Sequence, residues 1–495
     1  MAAKRAKYSS NRNGDESLHN EDVQFDYSGN PTWKYKRSNL LGSEIVVIDS
    51  IQALEKEPSQ LDYEIASQKA ILMGPNTKFQ ISGGFEKLEA GNDKAWEDVP
   101  AAESTKVLLQ PGWFDFLLKS VDVFHANTRI STSSENKFVS AHLQRFVDAY
   151  QDKEVLKLVA PQAAHPSRYL CSLEKDSLKV DSKEWQEYSK LIFKDKNITF
   201  DWYPRCWPFV QSVNHMYEDL PRALTMALIG KLCVRLTFVD DKTVIFRKVA
   251  NNTTKYRFCF DKCKLIIEEA RLSLPFEKSL FSTKRVLCFP GVTRSMQVEN
   301  VPEGSSTCRV RFNETYIPSG IVIFALHKSV ASGQYSFAKT TNTNVFADHQ
   351  INSVEVSFNQ SRFAVKDPSL GNVGEDIFES LHLLNHLKNP IFGVKPDIGK
   401  LSVDLFKDGA VASSFPHFYY PLTLFSGGGA SRKVPSLDDG SCLGKRSDLD
   451  ISVRFKEAGS TKDCVYCFVI YFEGTNLCFD TRNRLFFNPL GIIMG

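Results

Sequence analysis

The sequence predicts an all-β protein of two tandem β-sandwiches with a few short inserted helices. Three observations predict it. Short β-branched and aromatic runs bounded by Gly, Pro, Asn and Ser follow one another from about Ile45 onward. Several of these runs alternate strictly between apolar and polar residues, as half-buried strands do. Finally, KLCVRLTF followed by CKLIIEEARLSL near the middle of the chain has a counterpart near the end, DLDISVRF followed by CVYCFVIYFEGTNL. The 495 residues suit two large β units of roughly 200 to 250 residues each.

In chain order, residues 1–44 read as a flexible polar arm. It opens basic (Lys4, Arg5, Lys7, Arg12), turns acidic (Asp15, Glu16, Glu21, Asp22) and closes basic (Lys34, Lys36, Arg37). Residues 45–280 form the first expected domain and 281–495 the second, with the seam in SLPFEKSLFSTKRVLCFPG between Pro275 and Pro290. In the first, Leu232, Val234, Leu236 and Phe238 fall on one face of a strand. In the second, Val354-Glu355-Val356-Ser357-Phe358 and Ile451-Ser452-Val453-Arg454-Phe455 alternate in the same way. The continuous runs Ile321 to Leu326 and Cys467 to Phe472 predict strands buried on both faces in the middle of a sheet. Two amphipathic helices are expected, one bearing Phe138, His142, Phe146, Val147 and Tyr150, the other Ile377, Leu381, Leu384 and Leu387.

Composition excludes several classes. Sixty-one Lys and Arg against fifty-eight Asp and Glu leave +3, too little to condense nucleic acid or to hold an anionic membrane. No run reaches the roughly 18 uncharged apolar residues of a spanning helix, and the N-terminus lacks an apolar signal core, so a soluble, non-secreted protein is expected. Eleven cysteines are too sparse for a disulfide scaffold and are expected to be reduced core thiols. The Asn-x-Ser/Thr matches at Asn197, Asn252, Asn313 and Asn359 then carry no weight.

The motifs that could carry chemistry read better as structure. Cys464 and Cys467 have knuckle spacing, but DCVYCFVIYF reads as strand, where residues three apart point to opposite faces. Cys259 and Cys263 are four apart in RFCFDKCKLII and are expected on one face, about 13 Å apart, too far to share a metal. The ten histidines form no HExxH or HxH pattern; His142 reads as core, and His125, His165, His215, His349 and His417 as loop residues. The acid pairs Asp240-Asp241, Glu268-Glu269 and Asp438-Asp439 are sequence neighbours that diverge in a strand and are solvated in a loop. Ser426 to Ser431, SGGGAS, lacks the features of a phosphate cradle. Trp202, Tyr203, Trp207 and Phe209 with Arg205 could stack bases or sugars, but their two intervening prolines and many large side chains favour a packed corner or a subunit contact. No catalytic, cofactor-binding or metal-ligating residue is assigned, and an enzyme is not expected. The 36 Phe, 16 Tyr and 6 Trp exceed what two sandwiches are expected to hide, which points to aromatic subunit contacts.

Two stretches are specific enough to name a family. The first starts at Leu108, runs through Phe116-Leu117-Leu118-Lys119-Ser120-Val121-Asp122-Val123-Phe124 and Ser131 to Ser134, and ends at Tyr150. The second runs from Tyr316-Ile317-Pro318-Ser319-Gly320 through Gly333-Gln334-Tyr335 and QINSVEVSFNQSRF, closing with ISVRFKEAGSTKDCVYCFVIYFEGTNLCFDTRNR. Together they resemble the double jelly-roll major capsid proteins of Polinton/Maverick elements and their adintovirus-like viral relatives, in scattered blocks between about residues 75 and 486. The polar arm and the aromatic region from Trp185 to Phe209 depart from that pattern.

The resemblance implies two jelly rolls side by side, a homotrimer forming a pseudo-hexagonal capsomer, and an icosahedral shell of a DNA virus or element. It implies neighbouring capsomers and a penton or minor capsid protein as partners, no sequence-specific nucleic acid, no membrane span, no cofactor, and a place in the virion after assembly inside the host cell. The competing readings are a tandem β-sandwich carbohydrate-binding (lectin or adhesin-like) protein, a hydrolase on a β-sandwich, and a domesticated host copy of the capsid gene.

Overall fold

Among the described residues, sixteen of the strands, eight in each half of the chain, make up two repeated units. The computed structural model describes residues 23–25, 31–35, 40–74, 76–89, 95–104, 107–108, 113–125, 127–132, 186–187, 189–190, 193–204, 209, 223–243, 247–248, 254–275, 277–278, 287–301, 305–314, 318–328, 351–358, 361–364, 418–421, 447–455, 464–479 and 485–488. Both expected amphipathic helices, the loop at Ser426 to Ser431 and Asp438-Asp439 lie outside these residues.

In the first half the strands are β1 (Leu40–Ile48), β2 (Gln60–Ala66), β3 (Lys78–Leu88), β4 (Leu118–His125), β5 (Thr128–Thr132), β6 (Asn197–Trp202), β7 (Lys231–Phe238) and β8 (Lys255–Leu272). In the second they are β9 (Leu287–Glu299), β10 (Thr307–Glu314), β11 (Pro318–His327), β12 (Ile351–Phe358), β13 (Ser361–Ala364), β14 (Phe418–Pro421), β15 (Ser447–Phe455) and β16 (Cys464–Phe479). All pairings between them are antiparallel. The first half has one sheet ordered β6-β3-β8-β1 and a second ordered β5-β4-β7-β2. The second half has β14-β11-β16-β9 and β13-β12-β15-β10. Adding eight to each strand number of the first half reproduces the second, so the chain repeats one eight-stranded, two-sheet topology, that of a jelly roll.

The closing strands foreseen in each half are β7 with β8 and β15 with β16. They do not pair: the chain crosses from one sheet to the other between them. Strand β1 begins at Leu40, five residues before the expected arm ends. Within the arm, Val23–Phe25 pairs with Pro31–Tyr35, and the latter lies against β9. Strand β9 carries Pro290 inside the stretch expected as a seam, with a bulge between Gly291 and Thr293. Proline is tolerated at a sheet edge because it has no N–H to offer a further neighbour.

The core of the first roll fills the space between its sheets. One sheet turns in Leu61, Tyr63, Ile65, Val121, Val123, Leu232, Val234, Leu236 and Phe238. The other turns in Phe79, Ile81, Phe85, Ile198, Phe200, Trp202, Tyr256, Phe258, Phe260, Leu265 and Ile267. A helical turn, Trp113–Leu117, adds four buried side chains just before β4. The Trp113 ring meets Phe258 and Phe200 edge-on at 5.1 and 5.3 Å, and Phe114 meets Trp202 at 5.2 Å. Edge-to-face packing suits the ring quadrupoles. Tyr63 ties the sheets together by donating its hydroxyl to the Cys263 carbonyl at 2.8 Å. In the second roll Val310, Phe312, Leu449, Ile451, Val453 and Phe455 are buried, the last three on the face their alternation predicts.

Candidate functional site

Strand β8 shows how local geometry re-aims side chains. Its pairing with β3 runs Cys259 to Gly84 and Phe260 to Gly83, then Lys262 to Ser82, so Asp261 is an extra, exposed residue. A bulge shifts the side-chain phase by one. Tyr256, Phe258 and Phe260 point inward before it; Cys263, Leu265 and Ile267 do so after it. Cys259 and Cys263 therefore lie on opposite faces, contrary to the same-face expectation, which assumed an unbroken strand. Burial pushes both thiols up to about 12. Cys464 and Cys467 lie within strand β16, as DCVYCFVIYF predicts.

Gly83 makes the bulge possible. A Cβ there would stand 2.1 Å from the Cys259 carbonyl oxygen and 2.6 Å from the Phe258 ring. Outside this point a charge cluster forms around buried Glu86. Glu86 is buried and accepts from Lys56 Nζ at 2.6 Å and Arg257 Nε at 2.9 Å, while Arg257 also pairs with Glu57 and stacks over the Trp96 ring at 4.2 Å. Burial raises the affinity of Glu86 for a proton, but the two cations outweigh it and hold its carboxyl below the ordinary value. The Phe260 amide donates to the Lys56 carbonyl, and buried Lys242 donates to the Pro58 carbonyl, so residues 56–58 are clamped onto the roll.

The outer face of the β5-β4-β7-β2 sheet carries a row of charge. Register places Arg235 on β7 directly between Asp62 on β2 and Asp122 on β4. Asp62 accepts from Arg235 through both carboxylate oxygens, at 2.8 and 3.2 Å, and from Gln52 and Gln60 at 2.9 Å. Burial pushes its carboxyl up, but these donors prevail and keep it below the ordinary value. Asp122 accepts from Ser120 at 2.7 Å and faces Arg129 at 3.7 Å. The second roll has a looser counterpart: Arg454 on β15 reaches Glu355 on β12 at 3.5 Å, and Arg309 reaches Asp450 at 3.0 Å.

The aromatic corner is core. Trp202, Tyr203 and Phe209 are buried, and Trp202 donates its indole N–H to Asp115 at 3.0 Å, so these three rings are not a platform for bases or sugars. Trp207 and Arg205 lie outside the described residues. His125 ends strand β4 rather than sitting in a loop, its Nε2 2.8 Å from the Ile229 carbonyl oxygen. The other histidines singled out above lie outside the described residues. Asp240 and Asp241 are exposed, and Asp241 accepts from the Thr243 amide and hydroxyl in a local turn. Glu268 and Glu269 diverge: Glu268 accepts from Ser43 and Asn76, whereas Glu269 is buried facing Lys69. Among the described residues no group of three or more His, Cys, Asp or Glu is arranged to hold a metal, and no helix is long and apolar enough to cross a membrane.

The charged side chains described above are engaged in pairing between strands and segments. All the exposed large apolar residues among those described, Leu41, Ile45, Val47, Ile51 and Leu274, are aliphatic. Most described rings of the first roll lie in its core, while Trp96 and Phe124 are half-buried under Arg257 and Arg235.

No protein-family model and no curated protein sequence matches the chain. Solved structures do. The mavirus major capsid protein is similar with a TM-score of 0.51 at 10% identity, over 98% of this chain and 97% of that one. A chain of the Sputnik virophage is similar with a TM-score of 0.52 at 10% identity, over 98% of this chain and 94% of that one. At such identity the likeness is one of fold, and it spans both halves of the repeated topology above. The chain is a double jelly roll, with the fold of the mavirus major capsid protein.

Proposed function

We propose that this chain is a structural major capsid protein, not an enzyme, and that three copies form a pseudo-hexagonal capsomer of an icosahedral shell. The DNA virus or element that encodes it is of the Polinton/Maverick kind. One observation carries the reading: the same eight-strand order occurs twice in one chain, over nearly the full length shared with a solved major capsid protein. Two similar rolls per chain allow three chains to present six similar units, and a cyclic arrangement of three closes on itself. The virion is then its working location, with neighbouring capsomers and a penton or minor capsid protein as partners. The small net charge of +3 suits a wall that does not itself condense the genome. Burial of Trp202, Tyr203 and Phe209 removes the main support for a carbohydrate-binding reading.

Negative-stain imaging of the purified full-length chain tests the proposal. Plates with a six-sided outline and threefold density are expected. Isolated two-lobed particles at every concentration and salt would overturn it.

A further inference from the structure

The five exposed large apolar residues are not scattered. Leu41, Ile45 and Val47 lie on β1, Ile51 follows its end, and Leu274 follows Leu272, the β8 residue that pairs with Leu40. All therefore track one sheet edge. Strand β1 bonds β8 on one side, and among the described residues no strand pairs with the other. Protein edges are usually protected by proline, lysine or short length. This one is nine residues long, LLGSEIVVI, with neither proline nor lysine. Its single charge, Glu44, is engaged by Lys69. Its one irregularity is a bulge at Gly42, whose φ of +52° suits glycine.

We propose that a second copy of this chain docks along the β1 edge. The proposal rests on the capsid reading and names the contact surface within it. Two observations argue against cover by the N-terminal arm. The equivalent strand of the second roll, β9, already has the arm strand Pro31–Tyr35 against it, whereas β1 does not. Residues 1–22 contain one leucine and no isoleucine, valine or phenylalanine, so they have nothing apolar enough to lay on Ile45 and Val47.

The area fits a subunit contact. Five aliphatic side chains, each between 51% and 65% exposed, present on the order of 500 Å² of apolar surface, at the upper end of what monomers leave bare. That is close to the apolar share of the roughly 800 Å² each partner contributes to a standard interface.

The test compares the full-length chain with an Ile45→Lys/Val47→Lys variant. Both positions are already in water, so the fold should survive; an unchanged far-ultraviolet spectrum and cooperative urea unfolding would verify this. Light scattering across concentration should show the wild type associating and the variant associating at least about 100-fold more weakly, the loss expected when a hydrophobic hot spot is charged. Hydrogen exchange of residues 41–51 should slow in the associated wild type relative to the variant. If both chains associate equally and residues 41–51 exchange at the same rate in each, the β1 proposal is overturned while the capsid reading stands. A wild type that never associates overturns both.

Discussion

Arg235 on β7 grips Asp62 on β2 with two hydrogen bonds, 2.8 and 3.2 Å, on the outer face of the first roll. Asp62 is 8% exposed and Asp122, on the other side of Arg235, is 7% exposed. Asp62 takes its charge compensation from that guanidinium, whereas Asp122 accepts from Ser120 and faces Arg129. Removing the Arg235 guanidinium should cost roughly 1 to 3 kcal/mol, toward the lower end because one edge of the arginine remains in water. Arg235→Ala should therefore lower the urea midpoint, and an Asp62→Asn/Arg235→Ala double variant should lose less than the sum of its parts.

The same pair sets a pH dependence. Asp62 has a folded value held below the unfolded aspartate value of about 3.9, so the unfolded state takes up its proton first as acid is added. Its contribution is complete above about pH 4 to 5 and is lost as pH falls through the folded value. Glu86 shifts in the same direction and adds to the slope. Unfolding free energy measured between pH 6 and 3 should fall more steeply for the wild type than for Arg235→Ala. Parallel curves would show that the pair does not couple to protons.

Gly83 should be far less replaceable than Gly74. A methyl group at Gly83 collides with the backbone carbonyl of Cys259, which cannot rotate away, whereas nothing lies within 4 Å of a Cβ at Gly74. Gly83→Ala should destabilise by more than about 3 kcal/mol or prevent folding, and Gly74→Ala should stay within about 0.5 kcal/mol of wild type. Urea denaturation of the two variants checks this directly.

The thiols of Cys259 and Cys263 should be inert in the folded protein. Burial pushes both to about 12, so at pH 8 almost none is thiolate, the reactive form. A disulfide reagent should label them at least about 100-fold faster in urea than in buffer, as followed by peptide mapping. Rapid labelling of Cys263 in buffer would contradict its placement inside the roll.

Strands were the most legible part of the sequence, because a half-buried strand must alternate. Leu232, Val234, Leu236 and Phe238 are buried as their spacing required, and so are Ile451, Val453 and Phe455. Pairing was less legible, since it depends on residues far apart in the chain. Thus β7 and β8 follow one another in sequence yet sit in opposite sheets. The bulge at Asp261 was hidden for a similar reason: it is accommodated by Gly83, 178 positions earlier, and nothing in RFCFDKCKLII announces it. The first half of β1 fell within the stretch read as a polar arm, and only topology reveals the strand as a bare edge.

One trace of the surface was within reach of the sequence. Both repeated strands carry arginine directly after an inward valine, Val234-Arg235 and Val453-Arg454, and in each roll that arginine meets a carboxylate on a neighbouring strand. Period-two reasoning places both arginines on the outer face and marks acidic residues of adjacent strands as partners. Identifying Asp62 and Glu355 among those acids required the register.

The proposed shell is built from trimers of this chain. Light scattering of the full-length protein across micromolar concentrations, at physiological salt, tests it most directly. A particle of three times 55.9 kDa, or larger assemblies in multiples of it, is predicted. A well-behaved 55.9 kDa monomer throughout, with no larger species under any salt or crowding condition, would contradict it.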